Sequence, residues 1–190
     1  MDEPRHLRVL VADERQTRLE PIARAVEALG HEVIAHEVAV EKVGEATHEH
    51  RPDLAIVALH EDSRHALELI TEIVDEAICC VVTLAEDADR EFVSAAAERG
   101  VFAHLDSIDE VELQGGIDVA IQRYRQYRSL LAAFERRARI EQAKGMLMER
   151  HGLGDQEAFE RIRREARRSQ RKLMDVVDQV AGAKSLRDDR

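Results

Sequence analysis

The sequence predicts an α/β domain on a five-stranded parallel sheet, continued by a long helix and a small helical bundle. Three observations carry this. Five short apolar runs between Leu7 and Leu105 alternate with amphipathic stretches, which is the pattern of a parallel sheet covered on both faces. After Gly116 the apolar residues recur at helical spacing with no proline to interrupt them. Charge also divides along the chain. Residues 1–122 carry 10 Lys and Arg against 28 Asp and Glu, and residues 123–190 carry 18 against 11, so the formal charge of −11 hides an acidic body and a basic tail.

The elements follow in order. Leu7 to Ala12 is a β-rich run ending at Asp13-Glu14. A helix with Leu19, Ile22, Ala23, Val26 and Leu29 on one side is stopped by Gly30. His31 to Glu37 is a second strand and Val40 to His50 a short helix. Pro52-Asp53 introduces the apolar run Leu54 to Leu59, a helix spans about Ser63 to Asp75, and Ile78 to Leu84 is a continuously apolar strand. Arg90 to Arg99 is a helix ended by Gly100, and Val101 to Leu105 is the fifth strand. The expected strand order is 2-1-3-4-5, with any site at the carboxyl ends of the strands. Gly115-Gly116 is read as a break or weak point in a helix.

Beyond it, Ile117, Ile121, Tyr124, Tyr127, Leu131, Phe134 and Ala138 form a heptad-like seam. It is read as a parallel two-stranded coil joining two copies of the chain; the alternative is that it packs back on the chain's own sheet. The two domains are placed at 1–122 and 123–190.

Several classes are excluded. No apolar run approaches the ~18 residues of a membrane span, and Met1-Asp2-Glu3-Pro4 is unlike a signal peptide. The only two cysteines, Cys79 and Cys80, are adjacent and fit neither a disulfide framework nor a zinc spacing, so a reducing cytoplasm is expected. The nine histidines show no metal-binding or catalytic spacing, and there is no phosphate-binding glycine loop. No enzyme activity, metal or cofactor is expected.

The tail carries the chemistry. Ile140, Ala143, Leu147 and Met148 make an apolar helical stripe that His151-Gly152-Leu153-Gly154 ends. Gly154 is placed as the next N-cap, with Glu157 as the acidic half of a capping box. In the helix that follows, Ala158, Phe159, Ile162 and Ala166 share one face, opposite Arg161, Arg164, Arg167, Arg168 and Arg171. Glu157 with Arg161 and Glu160 with Arg164 have the favourable i, i+4 order. Arg163 with Arg167, Arg164 with Arg168, and Arg167 with Arg171 are like-charged pairs, each costing roughly 0.2–0.5 kcal/mol. Folding alone disfavours such a ladder, whereas a polyanion neutralises it.

I-E-Q-A-K-G-M-L-M-E-R-H-G-L, E-A-F-E-R-I-R-R-E-A-R and R-K-L-M-D-V, in this order over roughly Leu130 to Ala181, resemble the three-helix ANTAR domain, an RNA-binding antitermination module. The resemblance implies binding of paired short hairpins with six-nucleotide loops. Gly154 stands where that family usually has Ser or Thr, Gln170 where Asn is common, and Val177 where Ala is usual. Lys144, Arg167, Arg168, Arg171 and Lys172 are the expected phosphate contacts, with Ser169 and Gln170 as loop-base contacts. Phe134 and Phe159 are expected to be buried, leaving arginine planes to stack bases.

The first domain resembles, over roughly Leu7 to Gln122, the flavodoxin-like (CheY-like) receiver domain of bacterial response regulators. Asp13 and Glu14 keep the acidic pair that holds Mg²⁺ in that family. Ala58 stands at the phosphoacceptor aspartate, Leu84 at the switch hydroxyl (Thr83 is its neighbour), and Ser107 at the lysine. The reading is a pseudo-receiver, with Glu61 and Asp62 just beyond Ala58 as substitute acceptors of low merit. An RNA-binding antiterminator, homodimeric and with a regulatory protein partner on the pseudo-receiver, is therefore expected. The alternative is a dimeric protein-interaction scaffold or a DNA-binding regulator.

Overall fold

A computed structural model describes residues 6–13, 16–37, 39–59, 63–85 and 88–182. Two compact units emerge, Met1–Arg125 and Gln126–Arg190. Glu14, Glu61 and Asp62 lie outside the described residues.

In the first unit, strands β1 (Arg8–Asp13), β2 (Glu32–Glu37), β3 (Leu54–Ala58), β4 (Cys80–Leu84) and β5 (Ala103–Leu105) form one parallel sheet in the order β2-β1-β3-β4-β5. Helices α1 (Gln16–Ala28), α2 (Val43–His50), α3 (Ser63–Glu76), α4 (Arg90–Glu98) and the start of α5 (Glu110–His151) cover it. Alternate strand residues enter two cores. Val9, Val11, Leu54, Ile56, Val82 and Leu84 pack with α1 and α5. Leu10, Ala12, Ala55, Val57 and Val81 pack with α2, α3 and α4. Gly30 (φ 82°) and Gly100 (φ 99°) take the left-handed conformation expected where helices stop.

Cys79 and Cys80 are buried, and desolvation pushes both thiols up to about 12, so neither supplies a thiolate.

Helix α5 departs from expectation at both ends of its first half. It begins at Glu110, where the Asp109 carboxylate accepts from Val111 N at 3.0 Å and Glu112 N at 3.4 Å. No break occurs at Gly115-Gly116. Gly115 faces open space, while a Cβ on Gly116 would overlap the Leu105 side chain, so this glycine lets the helix lie close on β5.

The apolar seam is also divided. Ile117 and Ile121 are buried with Leu113 and Ala120 in the core of their own sheet. The Tyr124 hydroxyl donates to Ile78 O at 2.9 Å, and its ring meets Phe102 edge-on. The first half of the expected inter-chain seam is thus consumed inside the chain, because burial against the sheet already satisfies it. Tyr127, Leu131 and Phe134 remain exposed, together with Leu130, which the seam had omitted.

One buried polar group has a pH consequence. His31 is buried, and neither ring nitrogen has a hydrogen-bond partner among the described residues. Desolvation lowers its pKa below 6.5, outweighing attraction from Asp118, with His6 lowering it further. The unfolded chain therefore binds this proton more readily than the folded one. Stability from the neutral ring is present above about pH 6.5 and falls as pH drops through the depressed value. His31→Leu is expected to shrink the loss of Tm between about pH 7.5 and 5, the range over which a histidine changes charge. Parallel melting curves of the two chains check this.

In the second unit, the end of α5 packs with α6 (Asp155–Ser169) and α7 (Leu173–Gly182) around Ala143, Leu147, Ala158, Ile162, Ala166, Val176 and Val177. Phe159 is half-buried, and Phe134, expected inside, is 69% exposed. Phe134 lies about 180° around α5 from Ala143, on the face away from this core.

Candidate nucleic-acid interface

Ala158, Ile162 and Ala166 turn one side of α6 into the three-helix core and leave its arginines outside. The ion pairs on that outer surface differ from the expected ones. Arg163 pairs with Glu160 at 3.4 Å and Arg168 with Glu165 at 2.8 Å, both at i, i+3. Glu157 instead accepts from Gly154 N at 2.9 Å, closing the acidic half of the capping box. Glycine has no side chain to supply the other half. Arg161, Arg164 and Arg167, each one turn beyond the last, are exposed and form no ion pair among the described residues. The negative end of the helix dipole favours cations at Arg167 and Arg168 in the last turn. It does not account for Arg161 or Arg164. That unpaired diagonal was concealed in the sequence by the apparent i, i+4 partners.

The remaining expected contacts cluster at the α6–α7 turn. Gln170 has φ 52° and ψ 31°, Arg171 N donates to Ala166 O at 3.0 Å, and Gln170 N donates to Arg167 O at 3.3 Å. This is a Schellman C-cap with Gln170 at its left-handed position. Among residues other than glycine, Asn and Asp adopt that conformation most readily, so Gln170 carries a backbone cost there. Ser169 Oγ donates to Glu165 O at 2.7 Å. Arg171 spans the turn, its Nη1 donating to Gln179 Oε1 at 2.6 Å and its Nη2 to Asp175 O at 3.1 Å. Lys172 is exposed.

Replacing Gln170 with glycine is expected to stabilise the second unit by about 1 kcal/mol, because it removes the left-handed penalty. Chemical denaturation of the two chains measures it.

Lys144 departs from expectation. Its side chain is buried, with Nζ 2.6 Å from Asp155 and 2.9 Å from Glu141. The hydrogen bond to Asp155, then that to Glu141, raises its pKa. Its charge is spent joining α5 to the first turn of α6, roughly 18 Å along that helix from Arg167. It is not a free phosphate contact. Gly145 beside it faces open space.

In the first unit, the register sets Asp13 beside Ala58 and Ala58 beside Leu84, all three buried at the carboxyl ends of adjacent strands. The Thr83 hydroxyl, on the other face of β4, is 2.9 Å from His104 Nδ1. Ser107 Oγ donates to Glu112 at 2.6 Å and accepts from Asp109 N at 3.2 Å, so it helps to start α5. Among the described residues no group of His, Cys, Asp and Glu could hold a metal ion, and no helix is long and apolar enough to cross a membrane.

Comparison with known proteins agrees with this architecture. Residues 128–180 match the ANTAR domain. The chain is 26% identical over 186 residues to the transcriptional regulatory protein PdtaR of Mycobacterium tuberculosis, covering 92% of this chain and 91% of that protein. The signal receiver domain of the putative response regulator NarL from the same organism aligns at TM-score 0.50 and 20% identity, over 63% of this chain and 98% of that one. A two-component response regulator of the LuxR family from Aurantimonas sp. SI85-9A1 aligns at TM-score 0.55 and 19% identity, over 62% and 86%. These structures establish the fold of the first unit. The chain joins a receiver-like N-terminal domain to an ANTAR domain.

Proposed function

We propose that this transcriptional regulator acts as an RNA-binding antiterminator that grips paired hairpins of nascent mRNA through the outer face of α6 and the turn after it. The observation that carries this is the line Arg161, Arg164, Arg167, exposed and without ion pairs among the described residues, running toward Lys172. Three unneutralised guanidinium groups on one helix match the phosphate spacing problem of a folded RNA better than they match a solvated protein surface. Arg168, Ser169, Gln170 and Arg171 sit at the far end of the line, where the Gln170 side chain is free to read a loop base. Paired hairpins call for two such ends, hence two copies of the chain.

The receiver-like domain in this reading is a pseudo-receiver in the cytoplasm. Asp13, Glu14, Ala58, Leu84 and Ser107 are the remains of a phosphorylation site that performs no catalysis. Regulation then comes through a protein bound to this domain rather than through a phosphoryl group.

A titration with paired hexaloop hairpins, against duplex DNA of matched charge, tests the reading. Tighter binding of the paired hairpins than of single hairpins and of duplex is the expected result. Equal affinity for the duplex moves the basic face to a DNA-binding role, and no affinity for either moves it to protein docking.

A further inference from the structure

Between Tyr124, its last residue in the core of the sheet, and Ile140, its first in the three-helix core, α5 contributes to neither. Residues 123–140 hold six arginines and one acidic residue, Glu135. Arg128 and Arg136 are exposed and form no ion pair among the described residues. No acidic residue stands three or four positions from either one. Arg125 and Arg139 do stand three positions away, so the helix offers them like charge instead of a partner.

These arginines continue the basic line of α6. Arg128, Arg136 and Arg139 lie within about 60° of Ala143 around α5, the direction in which α6 and α7 pack. The short turn at residues 152–154 sends α6 back along α5, so Arg161, Arg164 and Arg167 advance toward this stretch. Two consecutive residues of α7 then join the helices. Asp178 accepts from Arg139 Nη1 at 3.2 Å, and Gln179 accepts from Arg171 Nη1 at 2.6 Å. The guanidinium groups of α5 and of the α6–α7 turn thus meet α7 at one place. From Arg139 the helix rises about 16 Å to Arg128.

We infer that this side of α5 is a second RNA contact, and that it takes the duplex stem of the hairpin whose loop lies at the α6–α7 turn. The inference rests on the RNA reading of α6 and extends it to another helix. Charge and continuity select the occupant. A single strand calls for aromatic rings on which bases stack, and Tyr127 and Phe134 lie on the opposite side of α5, roughly 160–180° from Ala143. A stem presents phosphates and no unstacked bases, which suits guanidinium groups standing among alanines.

Paired hexaloop hairpins with stems of ~4 and ~12 base pairs test this, because ~16 Å of duplex takes about five pairs at roughly 3 Å each. The full-length wild type is expected to bind the long stems about 10-fold tighter at ~150 mM salt, with a salt slope steeper by about 0.7–0.9 for each of the two phosphates. Arg128→Ala with Arg136→Ala should erase both differences while leaving short-stem affinity, circular dichroism and sedimentation unchanged. Arg128→Lys with Arg136→Lys keeps the charge and should keep the long-stem advantage. Equal loss in the lysine and alanine pairs would trace the effect to the helix and overturn the assignment. So would a long-stem advantage that survives the alanine pair, or a wild type that binds both stems alike. Each of those results leaves the α6 reading standing if Arg164→Ala with Arg167→Ala still weakens the short stems. A wild type that binds neither hairpin removes both readings together.

Discussion

Replacing Arg164 and Arg167 together with alanine is expected to weaken binding to paired hairpins by ~10-fold or more at ~150 mM salt, where phosphate contacts still contribute. The slope of log K against log salt should fall by about 0.7–0.9 for each phosphate left unneutralised. Neither arginine supports the fold through an ion pair among the described residues, so thermal stability should hardly change. Lys144→Ala is the opposite control. It strips a cation from Asp155 and Glu141, so it should lower stability while leaving the salt slope intact. Gln170 substitutions separate a third effect, since they alter preference between loop sequences without altering the slope. Binding by the double variant as tight as wild type at that salt would remove α6 from the RNA surface.

Acetyl phosphate with Mg²⁺ is expected to leave no acyl phosphate on the chain, and the variant Ala58→Asp is expected to gain none either. Ala58 has no nucleophile, and restoring one does not restore the rest. A carboxylate there would stand beside buried Asp13 on one strand and buried Leu84 on the other, so like charge and desolvation both oppose its ionisation. No lysine faces it at Ser107, whose hydroxyl is committed to Glu112 and Asp109. The variant should therefore lose stability rather than acquire phosphorylation. Phosphate-affinity electrophoresis and mass mapping check both chains. A hydroxylamine-labile phosphate on the wild type, wherever it maps, would show that the domain is still a working receiver.

The fold was legible because each apolar run is bounded by a residue with a physical reason to stop it. Gly30 and Gly100 end helices in the left-handed conformation the pattern called for, and the continuous apolar strands report burial on both faces. What the sequence concealed was partnership. Periodicity places Ile117, Ile121 and Tyr124 on one stripe with Tyr127 and Phe134, but it cannot say that the first three face the chain's own sheet and the others do not. The same holds on α6. Spacing offered Glu160 to Arg164, whereas the rotamers give it to Arg163, and a nominally basic Lys144 turns out to be the most committed cation in the bundle. Gly116 looked like a weak point and is a close contact, because a missing side chain reads the same in sequence whether it faces water or Leu105.

The brevity of β5 bears on how copies of this chain can meet. Only Val82, Thr83 and Leu84 pair with it, through Ala103 to Leu105, so that margin of the sheet offers few free amides to a strand from another molecule. The opposite margin, β2, carries the exposed Glu32, and charge there discourages strand addition. Cross-β growth is thus disfavoured at both borders. Self-association measured by light scattering or sedimentation is then expected to come from side-chain faces rather than from strand addition at these borders.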